Sequence, residues 1–334
     1  MSRRKILFVS KGAESPSTRY RALQYAAMFE AGGWVFKHIV DNRSLATRKS
    51  ILFEAAHSDV VVILRRTYSY PFFKLLRFAS KYLVFDYDDA VFQKDQGQRS
   101  KSRERSFTRS VSSVDQVWAG NNYLAERARE FARKIIILPT SLDIDKYDLC
   151  VDKEQKYLDL VWIGSSATRE HLKSALPALE AAAGVIPSLR LKIIADFTLP
   201  SDRLNIVPIK WSEKSEAHDL ASAHIGIAPL PDNLFTRGKC ALKVIQYMAA
   251  SLPVISSPTG VNKEIVEHGV NGFLAAGDQE WLTVIQQLAN DNALRNSMGK
   301  AGRKRCVDNF SLQSTFQKMI SSLENGLTQT GPPR

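Results

Sequence analysis

Cysteine is scarce in this chain: Cys150, Cys240 and Cys306 are the only three in 334 residues, and no two of them form a C-x-x-C pair. That excludes a disulfide framework, argues against structural zinc and suits a reducing cytoplasm. Long hydrophobic runs are missing too. No apolar stretch approaches the roughly 18–20 residues needed to span a membrane, and the start, MSRRKILFVSKG, turns polar too soon for a signal peptide. The turn after the first apolar run, S-K-G-A-E-S-P-S-T-R-Y-R, lacks G-x-G-x-x-G, which weakens a dinucleotide-dehydrogenase reading. Acidic residues are outnumbered, 34 against 46 Lys+Arg, and unevenly. Residues 1–150 hold 26 Lys+Arg against 16 Asp+Glu, net +10, and the remainder 20 against 18, net +2. Only the first half is built to meet an anionic surface or acceptor.

What is present alternates strand and helix throughout, in a length that suits two domains. Strands are expected at 5–10, 35–40, 59–64, 82–86, 116–119 and 135–138, with a helix over 18–31, and the sum is a doubly wound sheet. Segment 152–157 is charged and non-periodic, a hinge composition. Alternation then restarts, with strands at 158–163, 189–195 and 225–229 and closing helices at 293–309 and 312–325.

The stretch TRGKCALKVIQYMAASLPVIS, 236–256, organises the second half. Read as a helix from Lys239, its polar Lys239, Lys243 and Gln246 recur at i, i+4 and i+7 on one narrow face. Such a helix is mostly buried and shows a line of two ammoniums and an amide. Gly238 at its start, flanked by Arg237 and Lys239, marks a phosphate site at a helix N-terminus. An amphipathic helix with solvated lysines is the plainer alternative.

K-x-x-Q-Y-M-A-A-S-L-P-V-I, followed by S-P-T-G-V-N-K-E-I-V-E-H-G-V-N-G-F-L, resembles the donor-binding core of the family-four (group 1) glycosyltransferases. The resemblance covers nearly the whole chain and is strongest over 232–274. It implies an α/β GT-B fold, two Rossmann-like doubly wound domains facing across a cleft: an acceptor domain over 1–150, a nucleotide-sugar donor domain over 151–310, a helix over 311–326 crossing back to the first domain and a disordered tail over 327–334. It also implies a metal-independent, retaining hexosyltransferase with no cofactor beyond a UDP- or GDP-linked sugar as co-substrate. Lys239 and Lys243, with Arg237, would stabilise the leaving diphosphate, and the donor phosphate itself would take the acceptor proton. Two departures stand out. The family's paired glutamates, eight residues apart, are Gly238 and Gln246 here. Gln246 can still hydrogen-bond ribose hydroxyls without a carboxylate's charge-assisted strength.

Further candidates lie where strands end. Gly12 and the cations Arg19 and Arg21 follow the first strand, where a cation opposes the helix dipole unless an anion is bound. They either contact a donor diphosphate or anionic acceptor, or point into solvent. F-D-Y-D-D-A-V-F ends the fourth strand, and its Asp86, Asp88 and Asp89 admit four readings: a D-x-D metal pair, a phosphotransferase pair, a cap on the next turn, or carboxylates, Asp88 and Asp89 above all, that orient an acceptor hydroxyl or pair with Arg19 or Arg21. Asn121 caps the helix after the fifth strand, and in the family a polar residue here faces the cleft. In the second half, Gly164 and Ser165 form a turn whose N–H groups can receive phosphate oxygens. Trp211 lies where the resemblance places the nucleobase and either stacks or fills a core gap. Gly260 and Val261 form another strand-to-helix turn of the donor site.

Residues 93–109, K-D-Q-G-Q-R-S-K-S-R-E-R-S-F-T-R after the leading Gln, read as a basic mobile loop entering a helix. With Arg65, Arg66 and the aromatic-basic run 68–82 it can sit against anionic lipid, although most of those aromatics belong in a core. Nucleic acid is not expected, since no recognition fold or stacking platform accompanies the charge. The expected partners are a nucleotide sugar, a glycan or lipid-linked acceptor of surface polysaccharide synthesis, and an anionic membrane surface. The expected location is cytoplasmic, peripheral at the inner face of the membrane. A catalytically weak sugar-nucleotide-binding relative, or a GT-B epimerase or phosphorylase, are the other classes open to this sequence.

Overall fold

The computed structural model of the protein describes residues 3–94 and 97–329. Its contacts divide the chain into two compact units. One holds Met1–Ser141, Asn233–Cys240 and Leu312–Arg334, and the other Leu142–Asp232 and Ala241–Ser311. The division falls after Ser141 rather than after 150, and Asn233–Cys240 packs in the first unit, not with the residues on either side of it.

The first unit is built on β1 (Arg4–Ser10), β2 (Trp34–Val40), β3 (Val60–Leu64), β4 (Leu83–Tyr87), β5 (Gln116–Ala119) and β6 (Ile135–Ile137), in the order β2-β1-β3-β4-β5-β6. Every pairing is parallel. Strands covered on both faces must be apolar on both, and VVVIL of β3 is fully buried. Ile51, Phe73, Leu76, Phe107 and Val111 cover one face. Tyr25, Phe29, Phe316, Met319 and Leu323 cover the other. Phe316 and its neighbours belong to the final helix, Leu312–Gln329, whose Phe316 meets Phe29 edge-on with centroids 5.0 Å apart. The tail expected from 327 therefore begins inside a helix, and 330–334 lie outside the described residues, as do 95 and 96 of the basic loop. The helix expected over 18–31 is broken into Pro16–Arg21, a 3-10 turn at Leu23–Tyr25 and Ala26–Ala31.

The second unit repeats the plan with β7 (Leu158–Ile163), β8 (Leu189–Ala195), β9 (Asn205–Lys210), β10 (Ile225–Ala228), β11 (Val254–Ser256) and β12 (Gly272–Leu274), in the order β12-β11-β10-β7-β8-β9. Pro208 donates no hydrogen bond and sits on the edge strand β9, where none is needed on the outer side. Gly226 of β10 lies under Tyr247, and a Cβ there would fall 2.3 Å from the ring. That close approach lets the Tyr247 hydroxyl accept from the Ile163 N–H (3.0 Å) and donate to the Ile227 carbonyl (3.1 Å), pinning helix Leu242–Ala249 to β7 and β10.

That helix starts three residues later than expected. Lys239 is extended and Ala241 left-handed, with φ 52, so the helical face proposed for Lys239, Lys243 and Gln246 does not exist.

Candidate functional site

In the first unit the loops after β1, β3, β4 and β5 converge at the carboxyl edge of the sheet, where sites of open α/β folds form. Asp86 is buried, and Arg21 grips it, with Nε 2.9 and 3.0 Å from the two oxygens and Nη2 2.5 Å from Oδ1. Arg21 Nη1 also donates to the Leu138 carbonyl at 3.0 Å. Burial pushes Asp86 up to about 6 against the pull of Arg21, which leaves it ionised at neutral pH. Arg21 is thus committed inside the protein, contrary to its expected phosphate or acceptor contact. Arg19 stacks over Tyr20, 5.4 Å from the ring centroid. Gly12 sits in the β1 turn, and its carbonyl accepts from the Ser15 N–H at 3.3 Å.

Asp88 and Asp89 are also held by cations. Arg65, itself at φ 55, places Nη2 2.9 Å from Asp89 Oδ2 and Nε 3.4 Å from Asp88 Oδ1. Ser17 Oγ donates to Asp88 at 3.0 Å and accepts from Arg65 Nη1 at 2.5 Å. Burial alone would raise Asp88, but Arg65 and Arg21 outweigh it and hold the carboxyl below its ordinary range. Lys239 completes the group, its Nζ 2.9 Å from Asp89 Oδ2 and 4.4 Å from the Phe235 ring centroid. Three carboxylates and three cations neutralise one another. The places around Asp86 and Asp88 that a divalent ion would take are filled by guanidinium and hydroxyl groups. Among the described residues no group of three or more His, Cys, Asp or Glu is arranged to hold a metal ion.

Segment Asn233–Cys240 is tied to this edge. The Asn121 side chain caps its helix by accepting from the Leu124 N–H (2.9 Å) and donates through Nδ2 to the Lys239 carbonyl (3.0 Å). The Tyr123 hydroxyl donates to the Leu234 carbonyl at 3.1 Å. Gly238 donates its N–H to the Phe235 carbonyl at 3.0 Å, so it is not the anion-binding helix start expected, and a Cβ on it would fall 2.8 Å from that of Ala90. Arg237 lies in the short 3-10 turn Thr236–Gly238.

In the second unit, Gly164 is needed because a Cβ there would strike the Trp162 ring at 2.2 Å. Ser165 forms a reciprocal cap with Thr168, and the next N–H, of Ser166, donates 2.7 Å to Asp196 Oδ1 while its hydroxyl donates 2.9 Å to Oδ2. A carboxylate from the end of β8 thus occupies donors expected to receive phosphate. Lys243 lies over Trp162, with Nζ 4.8 Å from the ring centroid. Gly260, at φ 55, shapes the turn where Val261 accepts the N–H groups of Glu264 (3.0 Å) and Ile265 (3.1 Å).

Gln246 is buried and turned towards a carboxylate the sequence reading missed. Its Nε2 lies 2.8 Å from Glu216 Oε1 and 3.5 Å from the Tyr147 hydroxyl. Tyr147 donates to the same Glu216 oxygen at 2.5 Å, and Trp211 Nε1 to the other at 2.7 Å. Trp211 is therefore anchored by its N–H to Glu216. A buried carboxylate demands such donors, and Trp, Tyr and Gln each bring one. The signal available was compositional: a buried Gln in place of Glu implies a partner that needs a donor.

Residues 227–305 match the model of the family "Glycosyl transferases group 1". The spore coat protein SA of Bacillus subtilis is 31% identical over 82 residues, a match spanning 24% of this chain and 22% of that protein. Among solved structures, the sucrose-phosphate synthase of Thermosynechococcus elongatus superposes with TM-score 0.71 at 15% identity over 98% of this chain and all of its own. The Anabaena protein HepE, in complex with UDP, superposes with TM-score 0.71 at 13% identity over 96% of this chain and all of its own. The fold of the chain is GT-B, with its two six-stranded parallel sheets. No helix among the described residues is long and apolar enough to cross a membrane.

Proposed function

We propose that the protein is a retaining glycosyltransferase that moves a hexose from a nucleoside-diphosphate sugar to a glycan or lipid-linked acceptor in surface polysaccharide synthesis. The match over 227–305 carries this reading, because it contains the helix that presents Lys243 and Gln246. Departure of a nucleoside diphosphate develops about two negative charges, and fixed cations at the leaving oxygens stabilise them best. Lys243 is the residue we assign to that task, supported by the backbone of the Gly260–Val261 turn. No metal or cofactor enters this scheme. UDP is favoured over GDP as the donor nucleotide, since a neighbour of the same fold was solved with UDP and with UDP-glucose. In the same reading Asp88 and Asp89, with Arg65 and Lys239, shape the acceptor side, and the protein works at the inner face of a membrane carrying a lipid-linked acceptor.

Titration calorimetry with UDP and GDP, with and without EDTA, tests the reading beside Lys243→Ala. UDP binding that survives EDTA and weakens on the order of tenfold or more in the variant is expected. Absence of binding by either nucleotide would remove the Lys243 assignment, and binding only with a divalent ion would return Asp86 and Asp88 to consideration.

A second reading has its own observation. Gln246 is committed to Glu216, and Gly238 has no room for the family's glutamate. Both fit a sugar-nucleotide-binding relative of low turnover, which would bind UDP yet release no sugar from UDP-hexose.

A further inference from the structure

The helix Tyr70–Ala79 is apolar on two sides, and only one is covered. Phe72, Phe73 and Leu76 are buried, whereas Tyr70, Leu75 and Phe78 are 53%, 55% and 94% exposed. Pro71, Lys74 and Lys81 lie exposed along the same stripe. Each large apolar side chain left in water forgoes a favourable burial, and several together on one face mark an interaction surface.

The surroundings are cationic. Lys74 Nζ and the Arg109 guanidinium lie 5.1 and 5.5 Å from the Tyr70 ring centroid. Lys101, Arg105 and Arg109 of helix Lys101–Ser113 line a shallow concavity with Tyr70, and Glu104 is its one acidic residue. Arg77 pairs with Asp115 at 2.6 Å and Lys81 with Asp59 at 3.0 Å, so these two cations are partly neutralised at the border of the patch.

We propose that this face docks on an anionic lipid bilayer, with Phe78 and Leu75 entering the headgroup boundary and Lys74, Lys101, Arg105 and Arg109 meeting lipid phosphates. An apolar ridge rimmed by long cationic side chains, with Tyr70 between the two, is the chemistry of a helix lying in the interface plane. Charge complementarity selects the bilayer: the half of the chain that carries the ridge also carries nearly all of the net positive charge. The proposal deepens the membrane placement given above, but its readout is separate from sugar transfer.

The test is cosedimentation of the full chain with vesicles of phosphatidylcholine alone or mixed with phosphatidylglycerol. Binding is expected only to the anionic vesicles and should weaken as salt is raised. Phe78→Ser should lower the affinity about tenfold, and Lys74→Gln or Arg105→Gln by about fivefold each. All three side chains are exposed, so the variants keep the parent's thermal midpoint and its UDP affinity. Absence of binding at low salt, or equal binding by Phe78→Ser, would overturn the proposal. So would self-association that Phe78→Ser abolishes without any vesicle binding, which would assign the face to a second copy of the chain. Loss of UDP binding with vesicle binding retained would strike only the transferase reading.

Discussion

Glu216 and Gln246 show how one substitution propagates through a buried site. Glu216 receives Tyr147, Trp211 and Gln246, and a carboxylate at 246 would replace one donor with a second charge at 2.8 Å. Two buried carboxylates at that distance cannot both ionise, so one must hold a proton at neutral pH. Gln246→Glu, which would restore the family's residue, should therefore destabilise the protein by about 2–4 kcal/mol at pH 7 and by less at pH 5. Urea unfolding at the two pH values checks this. The double swap Gln246→Glu with Glu216→Gln should recover most of the loss, as coupling between contacting residues requires. The start of β7 gives a pH prediction. Burial, aided by Lys153, holds His224 down at about 4, and its neutral Nδ1 accepts the Asp159 N–H at 3.0 Å. A base with a lowered pKa binds protons first in the unfolded chain, so its contribution is intact above pH 6.5 and is lost as pH falls towards 4. His224→Gln should flatten the stability curve across that window, measured as the urea midpoint against pH.

Elements decide what single residues can do, and segment Asn233–Cys240 is the case in point. Spacing alone placed Lys239, Lys243 and Gln246 on one helical face, because i, i+4 and i+7 satisfy the period. Periodicity cannot register a backbone that turns left-handed at Ala241, nor the pull of Asp89, 150 residues away, on Lys239. The strands were legible for the opposite reason. Runs such as VVVIL in β3 have only one use in a parallel sheet, and no distant contact is needed to recognise them. The carboxylates at the end of β4 were legible as candidates, and Arg21 as a partner for Asp86; Arg65, just after β3, and Ser17, in the helix after β1, were not, a product of topology rather than spacing. The same segment yields a prediction about the missing glutamate. Gly238→Glu should not strengthen UDP binding. Any side chain at 238 meets Ala90, and the substitution should cost about 1–3 kcal/mol as the segment shifts. A thermal midpoint unchanged from the parent, or tighter UDP binding by calorimetry, would contradict this.

At the scale of the molecule, the order of residues in the chain and their membership of a core diverge. The final helix follows the second sheet in sequence, yet Phe316, Met319 and Leu323 complete the cluster over Tyr25 and Phe29 in the first unit. Ending the chain after Ser311 would uncover that face of the first sheet. Phe316 meets Tyr25 and Phe29, with centroids 6.1 and 5.0 Å away, and its loss alone resembles a large-to-small core change of about 3–5 kcal/mol. Phe316→Ala should thus lower the stability of the first unit while sparing the second, whose core of Leu160, Trp162, Ile227 and Ile285 holds no residue of that helix. Hydrogen exchange read by mass spectrometry separates the two cases. Faster exchange confined to peptides of β1, β3 and the 312–329 helix is the expected pattern. Equal acceleration in β7 and β10 would mean that the two units unfold as one, and the assignment of the last helix to the first unit's stability would fail.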